Sequence, residues 1–275
     1  MSQVDLHIHT TASDGKFSPA EIVRKAHANG LIYIGICDHD SIAGIVPAQE
    51  ASRNFPGLTV ISGVEINTDI PAGELHILGY YCDCDNTELN TTLERLRSSR
   101  IGRAKKMVAK LRSMGIKIDY ERVEEIAGAG SVGRPHVAEA LLEKGYINNF
   151  REAFAKYIGR GGPAYVERDK ITPAEAVQLI RRADGIPVLA HPLTSDNYEA
   201  LVAGLKPAGL LGLEVYYGNY GPEQIQALLT LAAQFDLIAT GGSDFHGLDS
   251  ANEPQLGQVD VPLTCAERLM AMVRK

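Results

Sequence analysis

Apolar runs recur along the chain, and most of them end on a residue able to bind a metal or move a proton. Val4-Asp5-Leu6-His7-Ile8-His9 alternates, which predicts a strand with His7 and His9 on one face. Ser18-Pro19 reads as an N-cap with a first-turn proline, and Gly30 closes the helix between them. Leu31 to Cys37 is continuously apolar, as in a parallel strand covered on both faces, and runs into Asp38-His39-Asp40. A helix is predicted over Ala48–Asn54, then strands over Leu58–Ile66, ending near Glu65, and Gly73–Tyr80, carrying His76. After the insert described below, a helix starts at Thr172-Pro173. Strands Ile186–Ala190, Gly209–Tyr217 and Leu237–Gly242 follow, with helices over Pro222–Phe235 and from Thr264. These strands run into His191-Pro192, Glu214-x-Tyr216-Tyr217 and Ser243-Asp244-Phe245-His246. Strands and helices in turn, with polar residues at the carboxyl ends, predict a parallel α/β barrel.

Between residues 86 and 164 the pattern becomes helical throughout. Leu89, Leu93, Leu96, Ile101, Ala104, Val108 and Leu111 follow a helical period up to Gly115. Shorter helices are predicted around Tyr120–Ala127, Arg134–Lys144 and Asn149–Tyr157. The expected division is therefore a barrel of residues 1–85 and 165–275 and an inserted helical cap, 86–164, over the strand ends.

Charge sharpens this division. The 275-residue chain carries a net −7, yet Arg95–Arg134 holds seven Arg and four Lys against Asp119, Glu121, Glu124 and Glu125. A basic segment on an acidic body points to an anionic substrate under the cap, and the overall negative balance disfavours a long nucleic-acid track. Neither a leader segment nor a membrane span is recognisable, and Cys37, Cys82, Cys84 and Cys265 form no C-x-x-C pair. Reduced thiols in a cytoplasmic protein are expected, and Cys82-x-Cys84 is taken as a strand-end coincidence. No obligate protein partner is evident.

Six of the eight histidines fall at predicted strand termini or in adjoining loops: His7, His9, His39, His76, His191 and His246. Asp14, Glu65 and Asp244 join them. Barrel strand ends converge in space, so this set predicts a metal centre. Nine ligands exceed the needs of one ion, and mixed imidazole and carboxylate donors suit manganese, iron or zinc. His27 is given no role. In the insert, Ser98, Arg100, Arg134 and His136 are the candidates for holding the rest of the substrate, because arginine grips phosphate bidentately. Gly133 and Pro135 are expected to fix Arg134 and His136 in a loop at a helix start. Arg95, Arg97, Arg103, Lys105 and Lys106 read mostly as a solvated helix face. Tyr216 and Tyr217 are open to stacking on a base or to core packing.

The order His-x-His-Thr, Ser-Asp-Gly, Asp-His-Asp, Gly-x-Glu, a single His, His-Pro and Gly-Ser-Asp-x-His resembles the PHP (polymerase and histidinol phosphatase) family. The resemblance implies a distorted (β/α)7 barrel with three divalent ions. His7, His9, Glu65 and Asp244 would hold one ion; Glu65, His76 and His191 the second; Asp14, His39 and His246 the third. The helical insert resembles the branch that hydrolyses the 3′-phosphate of nucleoside 3′,5′-bisphosphates, some members of which trim short RNA. That implies in-line attack by a metal-bridging hydroxide, with Asp244, His191 or a metal-bound water a candidate to protonate the leaving oxygen. The competing readings are a histidinol-phosphate or other small phosphomonoester phosphatase, an amidohydrolase-type barrel, and a non-catalytic interaction module. No ligand is missing, which disfavours the last.

Overall fold

The structure, a computed structural model, describes residues 2–70, 73–128, 130, 132–167, 169–218, 220–248 and 253–273. The chain begins β1 (Val4–Ile8), α1 (Pro19–Ala28), β2 (Tyr33–Ile36), α2 (Ile45–Ser52), β3 (Thr59–Ile70) and β4 (Gly73–Tyr80). Four helices follow, α3 (Thr87–Ser113), α4 (Tyr120–Ala127), α5 (Arg134–Glu143) and α6 (Phe150–Ala153), and then a π-helical turn over Phe154–Ile158. The remainder is α7 (Pro173–Arg182), β5 (Ile186–Leu189), a 3₁₀ turn over Pro192–Thr194, α8 (Tyr198–Leu205), β6 (Gly212–Tyr217), α9 (Pro222–Gln234), β7 (Ile238–Gly242) and α10 (Leu263–Val273).

Local chemistry accounts for the helix starts. Ser18 and Thr172 each close a capping box with the glutamate three residues on, Glu21 and Glu175, followed at once by a proline. Alternating strand side chains bury Leu6, Ile8, Ile34, Ile36 and Ile61 completely, each contributing about 1.5–3 kcal/mol.

The seven strands lie in sequence order β1 to β7 and nearly close into a barrel. At the seam, the N–H of Asp244 donates to His7 O at 2.9 Å and that of His9 to Phe245 O at 3.0 Å. A Cβ at Gly242 would stand 2.4 Å from the His7 nitrogen, so the closure needs glycine there. One expectation is corrected. β4 is antiparallel to both β3 and β5, so the barrel is not uniformly parallel. β3 and β4 form a long hairpin, and Glu65 and His76 sit within its strands rather than at their ends. The short connection between them leaves no room for the crossover helix that parallel pairing requires. Helix α8 and the 3₁₀ turn had no counterpart in the sequence reading.

Helices α3 to α6 and the π turn have their own apolar cluster, built on Met107, Leu111, Val123, Val137, Leu141 and Ile158. This helical stretch presses on the barrel where Gly130 meets the β1–α1 loop. A Cβ there would fall 2.1 Å from Ser13 O and 2.7 Å from Thr11 O. Cys37, Cys82 and Cys265 are buried free thiols, and Cys84 is half-buried. Cys82 and Cys84 follow β4, which ends at Tyr80, instead of lying on a strand. No described helix is long and apolar enough to cross a membrane.

Candidate metal centre

Nine side chains from six of the strands and their loops meet at one end of the barrel. His7 belongs to β1 and His9 follows it, both fully buried. His9 Nε2 lies 3.0 Å from Asp244 Oδ1, 3.3 Å from Glu65 Oε2 and 3.2 Å from His7 Nε2. His7, His9, Glu65 and Asp244 form one group. His76 Nδ1, His191 Nε2 and Glu65 Oε1 are mutually within 2.8–3.2 Å, a second group. In the third, His246 Nε2 stands 3.4 Å and His39 Nε2 3.9 Å from carboxylate oxygens of Asp14. The structure adds His9 to this group, since its Nδ1 is 3.7 Å from Asp14 Oδ1. Glu65 stands between the groups, with His39 Nδ1 also 2.7 Å from its Oε2.

This spacing fits metal ions. Donor atoms about 2.1 Å from one tetrahedral ion sit roughly 3.4 Å apart. Asp14 Oδ1, Glu65 Oε2, Asp244 Oδ1 and His76 Nε2 are buried without a hydrogen-bond partner. Orphaned buried carboxylate oxygens are costly unless a cation serves them.

Electrostatics agree. Burial would raise the Glu65 pKa, but His39, His76 and His7 together hold it well below the usual carboxylate range. Asp244 behaves alike, with burial overcome by His7, His9 and His246. Burial pushes the His9 pKa down to about 3, helped by the charge of His246, so His9 presents a neutral imidazole. The backbone is strained at the ligands: His191 and Asp244 have φ of 26° and 55°, and Asp40, beside His39, has 50°.

A second rank of residues aims the ligands. Glu214 Oε1 lies 3.0 Å from His7 Nδ1, and Glu214 Oε2 accepts the His191 N–H at 2.7 Å. The Tyr217 hydroxyl donates to Asp244 Oδ2 at 2.9 Å, leaving Oδ1 to face His7 and His9. Asp38 accepts from Thr10 and Ser13 and so pins the loop that carries Asp14. Asn67 Nδ2 is 2.8 Å from His39 Nδ1. The sequence reading assigned no role to Glu214, Asp38 or Asn67. For Glu214, its place at the end of an apolar strand run, like that of the ligands, was the available signal.

The candidates from the helical stretch divide. Arg100 is buried, with Nε donating to Asp40 Oδ2 at 2.8 Å and one terminal nitrogen without a partner. Arg103, expected on a solvated face, is also buried with an orphaned terminal nitrogen; the apolar side of α3 carries it inward. Arg134 is the first residue of α5 and pairs with Glu74, which also faces Lys170 at 3.2 Å. Burial raises the pKa of Glu74, but Arg134, Lys170, His76 and Arg103 more than reverse this, so the carboxylate stays ionised. His136 sits in the first turn of α5 rather than in a loop, buried, with Nδ1 accepting the Gly133 N–H at 3.0 Å. Burial lowers its pKa. A neutral ring that accepts at Nδ1 presents Nε2–H as a donor. Ser98 is not brought to the cluster: it is exposed, 3.4 Å from Glu94. Tyr216 packs beside the core, and the exposed His27 ring lies 4.8 Å from Phe55.

Known proteins agree with this geometry. The PHP domain model matches residues 5–158. A 5′-3′ exoribonuclease of Haemophilus influenzae is 36% identical over 88% of this chain and 89% of its own. A 3′,5′-nucleoside bisphosphate phosphatase of Chromobacterium violaceum is 29% identical over 96% of this chain and 94% of its own. Among solved structures, a candidate metal-dependent phosphoesterase of Bifidobacterium adolescentis superposes with TM-score 0.88 at 31% identity, covering 98% of this chain and 96% of that one. With the ligand order, the barrel and these relatives in agreement, the chain belongs to the PHP domain family.

Proposed function

We propose that this metal-dependent phosphoesterase removes the 3′-phosphate from nucleoside 3′,5′-bisphosphates and acts on short 5′-phosphorylated RNA by the same chemistry. The observation that carries this reading is a cluster able to hold metal ions with a guanidinium pocket tied to it through Arg100 and Asp40. The cluster is the nine-ligand set. The pocket is that of Arg100, Arg103 and Arg134, where two buried nitrogens have no hydrogen-bond partner and one of them, Arg103 Nη2, is 3.9 Å from Glu74. Arg100 is tied to Asp40, the neighbour of His39, so both places rest on the same loop. A substrate with two phosphates would engage both. The sequence similarity to a bisphosphate phosphatase and an exoribonuclease supports the same substrate classes.

We assign three divalent ions to the three ligand groups, manganese first and iron or zinc as alternatives, in a cytoplasmic enzyme whose helical stretch 86–164 caps the cleft. Such ions would supply an activated water near neutral pH and neutralise charge on the phosphoryl group. The chain's residues do the rest. Arg100, Arg103 and Arg134 hold the distal 5′-phosphate and thereby set which ester faces the cluster. His136 Nε2–H is a donor between the two places. Asp244 is kept ionised, whereas for His191 burial lowers the pKa but Glu65, Asp244 and Glu214 outweigh it and raise it. With an ion on its Nε2, His191 would keep only Nδ1, 3.5 Å from Thr194 Oγ1, to hold a proton for the departing 3′-oxygen.

Phosphate release from adenosine 3′,5′-bisphosphate, histidinol phosphate and 5′-AMP, each with Mn²⁺, tests the reading. Fast release from the bisphosphate with AMP as product is expected. A preference for histidinol phosphate would overturn it.

A further inference from the structure

Glu74 stands where an anion entering the guanidinium pocket would have to go. In the β3–β4 hairpin Asn67 pairs with His76 and Asp69 with Glu74, and strand side chains two apart share a face. The face that carries Glu65 and His76 therefore runs outward from the cluster to two carboxylates, Asp69 and Glu74. Both meet Lys170, whose Nζ lies 2.9 Å from Asp69 Oδ1 and 3.2 Å from Glu74 Oε1. Glu74 Oε2 also accepts from Arg134 Nη2, and its Oε1 is 3.9 Å from Arg103 Nη2. Two of the three arginines of the pocket are thus already turned to a carboxylate that belongs to β4.

Space leads to the same point. The void left among Arg100, Arg103 and Arg134 is about 10 Å³, closed behind by Ala104, Met107 and Val137. That is room for roughly one water. A phosphate does not fit beside Glu74 and must take over the guanidinium edges that Glu74 holds. A carboxylate stranded in this half-buried place would oppose the exchange. Glu74 avoids that, because Lys170, with a side chain only 4% exposed, remains as its partner on the far side from Arg134.

Building on the proposed function, we infer that Glu74 is a specificity-determining residue, an internal stand-in for phosphate that the substrate's 5′-phosphate displaces from Arg134 and Arg103. A pocket filled by its own carboxylate binds phosphate more weakly, in proportion to the fraction of time it stands free. The bisphosphate has a second hold, its 3′-phosphate at the cluster, and overcomes this competition. After hydrolysis the 5′-mononucleotide keeps only the phosphate in the pocket, and the tethered carboxylate returns at high effective concentration to displace it. Glu74 thereby favours doubly over singly phosphorylated nucleotides and clears the product.

Removing the charge while keeping the shape tests this. Calorimetry measures the Kd of 5′-AMP for the Mn²⁺-loaded wild type, Glu74→Gln and Glu74→Asp. Glu74→Gln is expected to bind AMP about tenfold or more tightly, and Glu74→Asp, whose charge is drawn back by one methylene, to tighten it by less. KM for adenosine 3′,5′-bisphosphate should fall as well, read as a ratio to KM for phenyl phosphate, which has no second phosphate and reports any disturbance of the cluster. A carboxylate that served only to aim Arg134 would weaken AMP binding on removal, so the sign of the change decides. Should Glu74→Gln fail to fold, Glu74→Asp gives the same sign. Unchanged or weaker AMP binding in a folded variant overturns the inference. If wild-type enzyme hydrolyses the bisphosphate while neither variant tightens AMP, this inference alone falls, whereas inactivity on the bisphosphate removes the function on which it rests.

Discussion

Glu214 Oε1 sits 3.0 Å from His7 Nδ1, deep beneath the metal cluster, with both residues fully buried. The carboxylate fixes which nitrogen of His7 would face a bound metal, and through the His191 N–H it holds a second candidate ligand across the barrel. β6 thus aligns two ligands although none of the nine comes from that strand.

Glu214→Gln keeps the shape but weakens that alignment. Manganese affinity is expected to fall about 10–100-fold, the usual effect of removing a carboxylate behind a metal-bound imidazole. A competition titration against a chelator reads this without any assay of activity. Unaltered affinity in a folded variant would show that Glu214 serves packing alone.

Protons and metal ions compete for the same nitrogens. Burial lowers the His246 pKa, but Asp14 reverses this and raises it to about 10. In the metal-free protein that proton stabilises the fold fully below the unfolded value of 6.5 and is lost as pH rises through about 10. An ion must displace it, so apparent metal affinity should climb by up to about tenfold per pH unit within this window. Calorimetric titrations at several pH values, in buffers of different ionisation enthalpy, should show proton release on binding. Affinity independent of pH would contradict the assignment of His246 to the centre.

Arg134→Ala should discriminate between substrates. A lost hydrogen bond to a charged group is worth about 1.5–3 kcal/mol, so KM for adenosine 3′,5′-bisphosphate should rise roughly 10–150-fold. A generic phosphate ester, with no second phosphate, should be nearly unaffected. Equal effects on both would remove Arg134 from recognition. Arg100→Ala is a poorer probe, because it also removes the partner of Asp40 Oδ2, whose Oδ1 accepts the Asn67 N–H beside the ligands, and so should disturb the fold as well.

Removing the ions should lower Tm as well as abolish activity. An ion bound only by the folded chain and present at a thousand times its Kd stabilises it by about 4 kcal/mol. Thermal scans with and without chelator, and with Mn²⁺ restored, should show a reversible shift. A Tm that ignores the chelator would mean that the orphaned carboxylates are satisfied in another way.

Gly130→Ala targets the contact between the helical stretch and the barrel. Its Cβ would collide with Ser13 O and Thr11 O, and the loop that would have to yield carries Asp14. Activity should drop while far-UV circular dichroism stays native. An unaffected rate would show that this contact does not position the loop.

The sequence alone determined much of this. Strand and helix periods, the Ser18-Pro19 and Thr172-Pro173 starts, and the identity of all nine clustered side chains follow from spacing and residue type, which are local properties. Only the folded chain could show that β4 runs antiparallel to both neighbours, because strand direction is set by hydrogen-bond partners such as Leu189, more than a hundred residues from Ile77. The same holds for His9, which turns one ring edge to each of two ligand groups, and for Arg103, whose burial depends on how α3 packs. Glu214 and Asp38 look like any strand-end carboxylates until the barrel closes and brings His7 and Thr10 within reach. Residue chemistry is written locally, but direction, burial and partnership arise from contacts between distant segments.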